Sequence, residues 1–145
     1  MFLTRVTIAA VVSLVCLCAA AWGQTPMPVE NPDKFSEEIM RMIYENAVAA
    51  VGKAVAETVG QPSLATNIEG SLRVLGDKRF DFTSKVIDNE YGNALRQIVY
   101  YAYVENVGFV YFRFNFKRTS RGWIMANFNF KSETNELFPK DFVDR

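Results

Sequence analysis

Between Phe109 and Lys131 apolar and polar residues alternate almost without a break, FVYFRFNFKRTSRGWIMANFNFK. Val110, Phe112, Phe114 and Phe116 share one parity. Ile124, Ala126, Phe128 and Phe130 share it beyond a short polar turn. A period of two marks strands with one buried face, so the segment predicts an antiparallel hairpin. Facing residues lie on the same side of a sheet, so core residues must pair even with even. A two-residue loop at Thr119-Ser120 would break that parity and bury Lys117 or Arg113. A three-residue loop at Ser120-Arg121-Gly122 keeps it and puts Gly122 at the left-handed position of a G1 bulge. The register then sets Phe114 opposite Phe128, Phe116 opposite Ala126 and Phe112 opposite Phe130. The same logic at Gly108 sets Tyr100 opposite Phe114 and Ala102 opposite Phe112.

Upstream the period changes. Phe35, Ile39, Ile43, Ala47, Val51, Ala54, Val55 and Thr58 recur at helical spacing, with Glu38, Arg41, Glu45, Lys53 and Glu57 on the opposite face. With Asp33 as N-cap and Gly60 and Pro62 as the stop, this predicts one long helix of about 25 residues. Ser63 caps a shorter helix carrying Leu64, Ile68, Leu72 and Leu75. Phe80 and Phe82 begin a short strand near Lys78. The run Asp88–Asn93, DNEYGN, reads as a turn, and Ala94–Val104 as a strand apolar on both faces. Beyond Lys131 the chain is polar, with Leu137, Phe138 and Phe142 as apolar anchors that fold back on the body.

The first residues follow a different logic. Met1–Arg5 is short and positive, Val6–Ala20 is apolar, and the small residues Ala21 and Gly23 follow. This pattern predicts a secretory signal over residues 1–23, cleaved before Gln24, and hence an exported protein, periplasmic or secreted. The alternative, a retained membrane anchor, needs about 20 apolar residues, and this run has roughly 15. The residues before Cys16 and Cys18 do not resemble a lipobox. Residues 24–32, which hold three prolines, read as a linker or arm, and 33–145 as a single domain.

Composition narrows the chemistry. Both cysteines, Cys16 and Cys18, lie in the leader, and the 145-residue chain contains no histidine. Ser-His-Asp and Cys-His machinery, Cys/His zinc sites and thiol redox centres are therefore excluded from the mature chain. An exported chain without disulfides must fold on packing alone, which favours a bacterial envelope. With 16 basic and 16 acidic residues overall, loss of Arg5 with the leader leaves the mature chain near −1. That balance argues against nucleic acid as a partner. No metal or cofactor motif is present, and no membrane span is expected after cleavage.

The two faces of the hairpin suggest separate roles. Tyr100, Phe112, Phe114 and Phe128 are the candidates for holding a small apolar ligand in a cavity between sheet and helix; plain core packing is the competing reading. On the other face, Phe109, Tyr111, Arg113, Trp123 and Met125 are too apolar for a fully wet surface. They predict a partner surface, with a second copy of the chain as the partner. Arg113, Lys117, Arg118, Arg121 and Lys131 form a basic hairpin tip, best read as a solvated turn. A catalytic alternative would draw on Asp81, Asp88, Glu90 or Glu105 with Tyr91, Tyr100, Tyr101 or Tyr103 for proton transfer beside a carbonyl. No convergent set is visible in their spacing, so no catalytic residue is assigned.

The element order, together with the segments YGNALRQIVYYAY and RTSRGWIMANFNFKSETNELFP, resembles the nuclear transport factor 2-like superfamily, including SnoaL-like and ketosteroid isomerase-like proteins, and small exported bacterial proteins. The resemblance covers Asp33–Pro139. It implies an α+β fold, with a long N-terminal helix and a shorter helix packed on a strongly bent, cone-like antiparallel sheet. It also implies a cavity at the open end and dimerisation through the sheet. The isomerase pattern of an aspartate base with a tyrosine and a protonated aspartate cannot be placed here residue by residue. The expected function is a non-catalytic exported binding or interaction module; a small-molecule isomerase or lyase using a carboxylate and tyrosines is the alternative.

Overall fold

The computed structural model describes residues 25–76 and 79–132. The expected leader, residues 1–23, and the expected anchors Leu137, Phe138 and Phe142 lie outside the described residues. Three helices, α1 (Pro32–Tyr44), α2 (Val48–Val59) and α3 (Leu64–Leu72), precede four strands, β1 (Phe80–Tyr91), β2 (Leu95–Val104), β3 (Gly108–Thr119) and β4 (Gly122–Lys131). The strands form one antiparallel sheet in the order β1-β2-β3-β4, an open meander with the helices packed on one face.

The single long helix expected from the periodicity is two helices. Asn46 adopts a left-handed backbone at φ 57°. Its N–H donates to the Ile43 carbonyl, and that of Ala47 donates to Met42. These are the two hydrogen bonds of a Schellman motif, which satisfies the last carbonyls of α1 and turns the chain. Gly60 closes α2 the same way at φ 78°, with the Gly60 and Gln61 N–H groups on the Glu57 and Ala56 carbonyls. The N-cap of α1 is Asn31, not Asp33: its side chain accepts from the backbone of Asp33 and Lys34, with Pro32 in the first turn. Ser63 precedes α3 without a side-chain cap bond. The first strand is longer than expected and absorbs most of the DNEYGN run, leaving the turn to Gly92 and Asn93 at φ 55° and 58°.

The core lies between α1, α2, α3 and the helix-facing side of the sheet. Ile39, Val51, Ile98, Ala102, Val104, Phe112 and Phe114 are wholly buried there. Each large apolar side chain removed from water contributes about 1.5–3 kcal/mol against chain entropy. The hairpin differs from the expected register in a specific way. Thr119 pairs with Gly122 across a two-residue loop, so Arg118 faces Trp123 and Phe116 faces Met125, even with odd. A bulge at Ala126 then restores even-even pairing, and Phe114↔Phe128 and Phe112↔Phe130 follow as expected. The extra residue sits within β4 rather than at the turn. In the preceding hairpin parity holds but the register slides by two: Tyr100 faces Phe112 and Ala102 faces Val110.

Candidate functional site

On the helix-facing side, β3 presents Phe112, Phe114 and Phe116, none more than 1 % exposed. Phe80, Phe128 and Phe130 ring them at centroid distances of 5.0–6.4 Å, and Phe35 packs edge-on against Phe116. Tyr100 stands edge-on to Phe114. Of the four residues expected to line an apolar cavity, Tyr100, Phe112 and Phe114 are therefore closed into the core. Phe128, half-buried, lines an open groove between α3 and β4 of about 470 Å³, together with Ile68, Ser71, Val74 and Phe130.

At the edge of the same face runs a chain of charges. Lys85 Nζ lies 2.6 Å from Asp33 Oδ1 and 3.9 Å from Asp88 Oδ2, and Arg96 grips both Asp88 oxygens at 2.8 Å. The guanidinium holds the Asp88 carboxyl below the usual range, and the bond to Asp33 raises Lys85. Behind them the Tyr100 hydroxyl is buried without a hydrogen-bond partner among the described residues. Burial is the chief cause that raises the phenol, and the nearby Ser36 hydroxyl, which donates its own hydrogen bond to the Asp33 carbonyl, offsets part of that shift. The other catalytic candidates are scattered: Asp81, Glu90 and Glu105 are exposed, Asp81 lies 3.5 Å from Arg79, and Tyr91 points into solvent.

The outer face has two halves. Near the β2–β3 turn, Phe82, Tyr101, Tyr103, Phe109 and Tyr111 form a continuous aromatic patch with neighbouring centroids 5.2–5.9 Å apart. Phe82 and Phe109 are more than half exposed. Farther along, a ladder of amides crosses three strands: Gln97 donates to Asn115 at 3.1 Å and Asn115 to Asn127 at 2.8 Å. Arg113 lies between, half-buried and opposite Asn129.

Of the residues expected to share this face, Phe109, Tyr111 and Arg113 do. Trp123 and Met125 do not. The bulge at Ala126 reverses the parity of β4 toward the hairpin tip, and both join the helix-side core at 9 % and 2 % exposure. Phe82 on β1, with Tyr101 and Tyr103 on β2, completes the patch. Their signal was the long run of β1 and the register of β2, both hidden in segments that read as turn or as apolar on both sides. The basic tip is largely occupied: Arg118 lies over the Trp123 ring at 5.5 Å, and Arg121 donates to the Pro26 carbonyl at 3.2 Å. Among the described residues no cluster of three metal-ligating side chains occurs, and no helix is long and apolar enough to cross a membrane.

A three-helix layer on one face of an open antiparallel sheet defines an α+β fold. No family model and no curated protein matches the chain. Among solved structures it is similar to a protein from Thiobacillus denitrificans classed as a calcium/calmodulin-dependent protein kinase type II association domain. The TM-score is 0.54 at 8 % identity, over 74 % of this chain and 99 % of that one. Aln2 from a Streptomyces species is also similar, with a TM-score of 0.42 at 12 % identity, over 79 % of this chain and 96 % of its own. At such identity the likeness concerns the fold, and function has to be argued from the faces themselves.

Proposed function

We propose that this chain is a non-catalytic association module that acts after export, in a bacterial periplasm or outside the cell, and pairs with a second copy through the outer face of its sheet. The observation that carries this reading is the aromatic patch. Five rings lie side by side on the face that the helices leave open, and exposed apolar surface of that kind marks an interaction site. A two-fold axis through the patch sets rings against rings, the self-complementarity an isologous dimer needs. The solved neighbour is itself classed as an association domain. The isomerase reading lacks support at Tyr100, because Asp88 is committed to Arg96 and the phenol has no carboxylate hydrogen-bond partner among the described residues.

The test is light scattering on the full chain expressed with its leader and purified from the envelope. The expected mass is that of two copies, each beginning at Gln24. Replacing Phe109 and Tyr103 with serine is expected to halve the mass while leaving the circular dichroism spectrum unchanged. A wild-type monomer, or a double variant that stays dimeric, would overturn the dimer.

A further inference from the structure

The outer face of the sheet is covered at its centre. Val99 belongs to that face. It pairs with Arg113 on β3, while its chain neighbours Ile98 and Tyr100 join the helix-side core. Yet Val99 is 0 % exposed and stands outside that core. The Nε of Arg113 is buried beside it. Across β3 the Asn129 Oδ1 is buried too, without a hydrogen-bond partner among the described residues. Tyr101 and Arg113, which flank Val99, are themselves only partly exposed, so they are not the outermost layer. The three helices pack on the other face, and the arm meets the sheet at the edge of β4, at Trp123. No described helix or strand lies over Val99. The groove between α3 and β4 is different, for there Val74 stays 72 % exposed.

The chain's own C-terminal residues start close enough to supply this cover. β4 ends with Lys131 opposite Tyr111, two residues along β3 from Arg113. At ~4.8 Å between strands and ~3.4 Å per residue, Val99 lies roughly 12 Å from Lys131, which about four extended residues span. Residues 133–145 carry Glu133, Glu136, Asp141 and Asp144, interspersed with the apolar Leu137 and Phe138. That composition matches the covered spot: a half-buried guanidinium is best satisfied by a carboxylate, and a valine by apolar side chains. The groove at α3 has no charged lining residue and offers a carboxylate nothing. We infer that residues 133–145 dock on the outer face of their own sheet, with a carboxylate of the segment on Arg113 and its apolar side chains over Val99. The docked segment seals the centre of the face and leaves Phe82, Tyr103 and Phe109 exposed at the β2–β3 turn. It therefore sets how far a partner surface can extend along the sheet.

The experiment is methyl NOE spectroscopy on the full chain. NOEs from the Val99 methyl groups to residues 136–142 are expected. In a sample that mixes isotope-labelled and unlabelled copies, they are expected within one copy only. Backbone order parameters at residues 136–142 are expected near ~0.8, as in rigid backbone. Arg113→Gln is expected to abolish the NOEs and to lower those order parameters below about 0.6, while the strand values hold. The wild-type NOEs stand as a test of their own should that variant fail to fold. The proposal is overturned if the Val99 methyls contact only residues 25–132, or if the NOEs cross between copies. It is likewise overturned if residues 136–142 contact Val74 and Phe130 in the groove instead, or if Arg113→Gln changes nothing. The serine variants at Phe109 and Tyr103 are expected to keep the Val99 NOEs, so loss of the dimer and loss of the docked segment are read separately.

Discussion

Gly52 sits where α2 passes α3, and the contact leaves no room for a side chain. A Cβ built there would lie 2.5 Å from the Ala65 carbonyl oxygen, a backbone atom that cannot swing away. The small residues along α2 thus serve helix–helix approach as well as contact with the sheet. Gly52→Ala is expected to destabilise the fold even though alanine is the better helix former. Propensity favours alanine by about 1 kcal/mol, but overpacking against a fixed atom costs about 1–3 kcal/mol, so the clash wins. A lower urea midpoint at unchanged slope would confirm it. A midpoint equal to or above wild type would show that α3 moves freely.

Elements were legible where a local period decided them, and illegible where one residue interrupted it. The apolar stripe of α1 and α2 runs in phase through residues 35–58, so periodicity alone joins them. The break depends on Asn46, a residue type that tolerates the left-handed conformation but does not require it. The hairpin repeats the lesson. Parity correctly demanded one extra residue, and the core pairs Phe114↔Phe128 and Phe112↔Phe130 followed. Nothing in GWIMANFNF says whether that residue falls at the turn or at Ala126. The difference moved Trp123 and Met125 from the outer face to the core, because a one-residue shift exchanges the two sides of a strand. The candidate partner surface was therefore only half visible before the register was known. Asn46→Val is expected to test the break. A β-branched residue held at φ 57° costs about 1–2 kcal/mol, so thermal unfolding should shift down by several degrees. A shift of under one degree would mean that α1 and α2 can fuse into the helix the periodicity describes.

For the whole molecule, the absence of histidine flattens the response to pH. With no imidazole, and with thiols only at Cys16 and Cys18, no other side chain ordinarily titrates between roughly pH 5 and 9, so the stability of the described domain is expected to be level across that window. The two ends of the plateau have different causes. Asp88 is held below its ordinary value by Arg96, so the unfolded chain takes up that proton first as pH falls. Its contribution is complete above the unfolded carboxylate range and is lost as pH drops through the folded value. At the alkaline end burial raises the phenols of Tyr44, Tyr100 and Tyr111, and the bond to Asp33 raises Lys85. Groups raised in the folded state stabilise it fully below their unfolded values. That stability is lost as pH climbs from about 10 through the folded values. Tyr100→Phe separates the contributions. It removes a buried hydroxyl that has no hydrogen-bond partner among the described residues, so stability at neutral pH is expected to stay level or rise by about 1 kcal/mol. The alkaline decline should become shallower because one shifted phenol is gone, while the acid limb, which belongs to Asp88 and Arg96, stays in place. Urea midpoints measured from pH 3 to 11 for both proteins check all three expectations. An unchanged alkaline slope in Tyr100→Phe would show that this phenol ionises no differently in the folded chain than in the unfolded one.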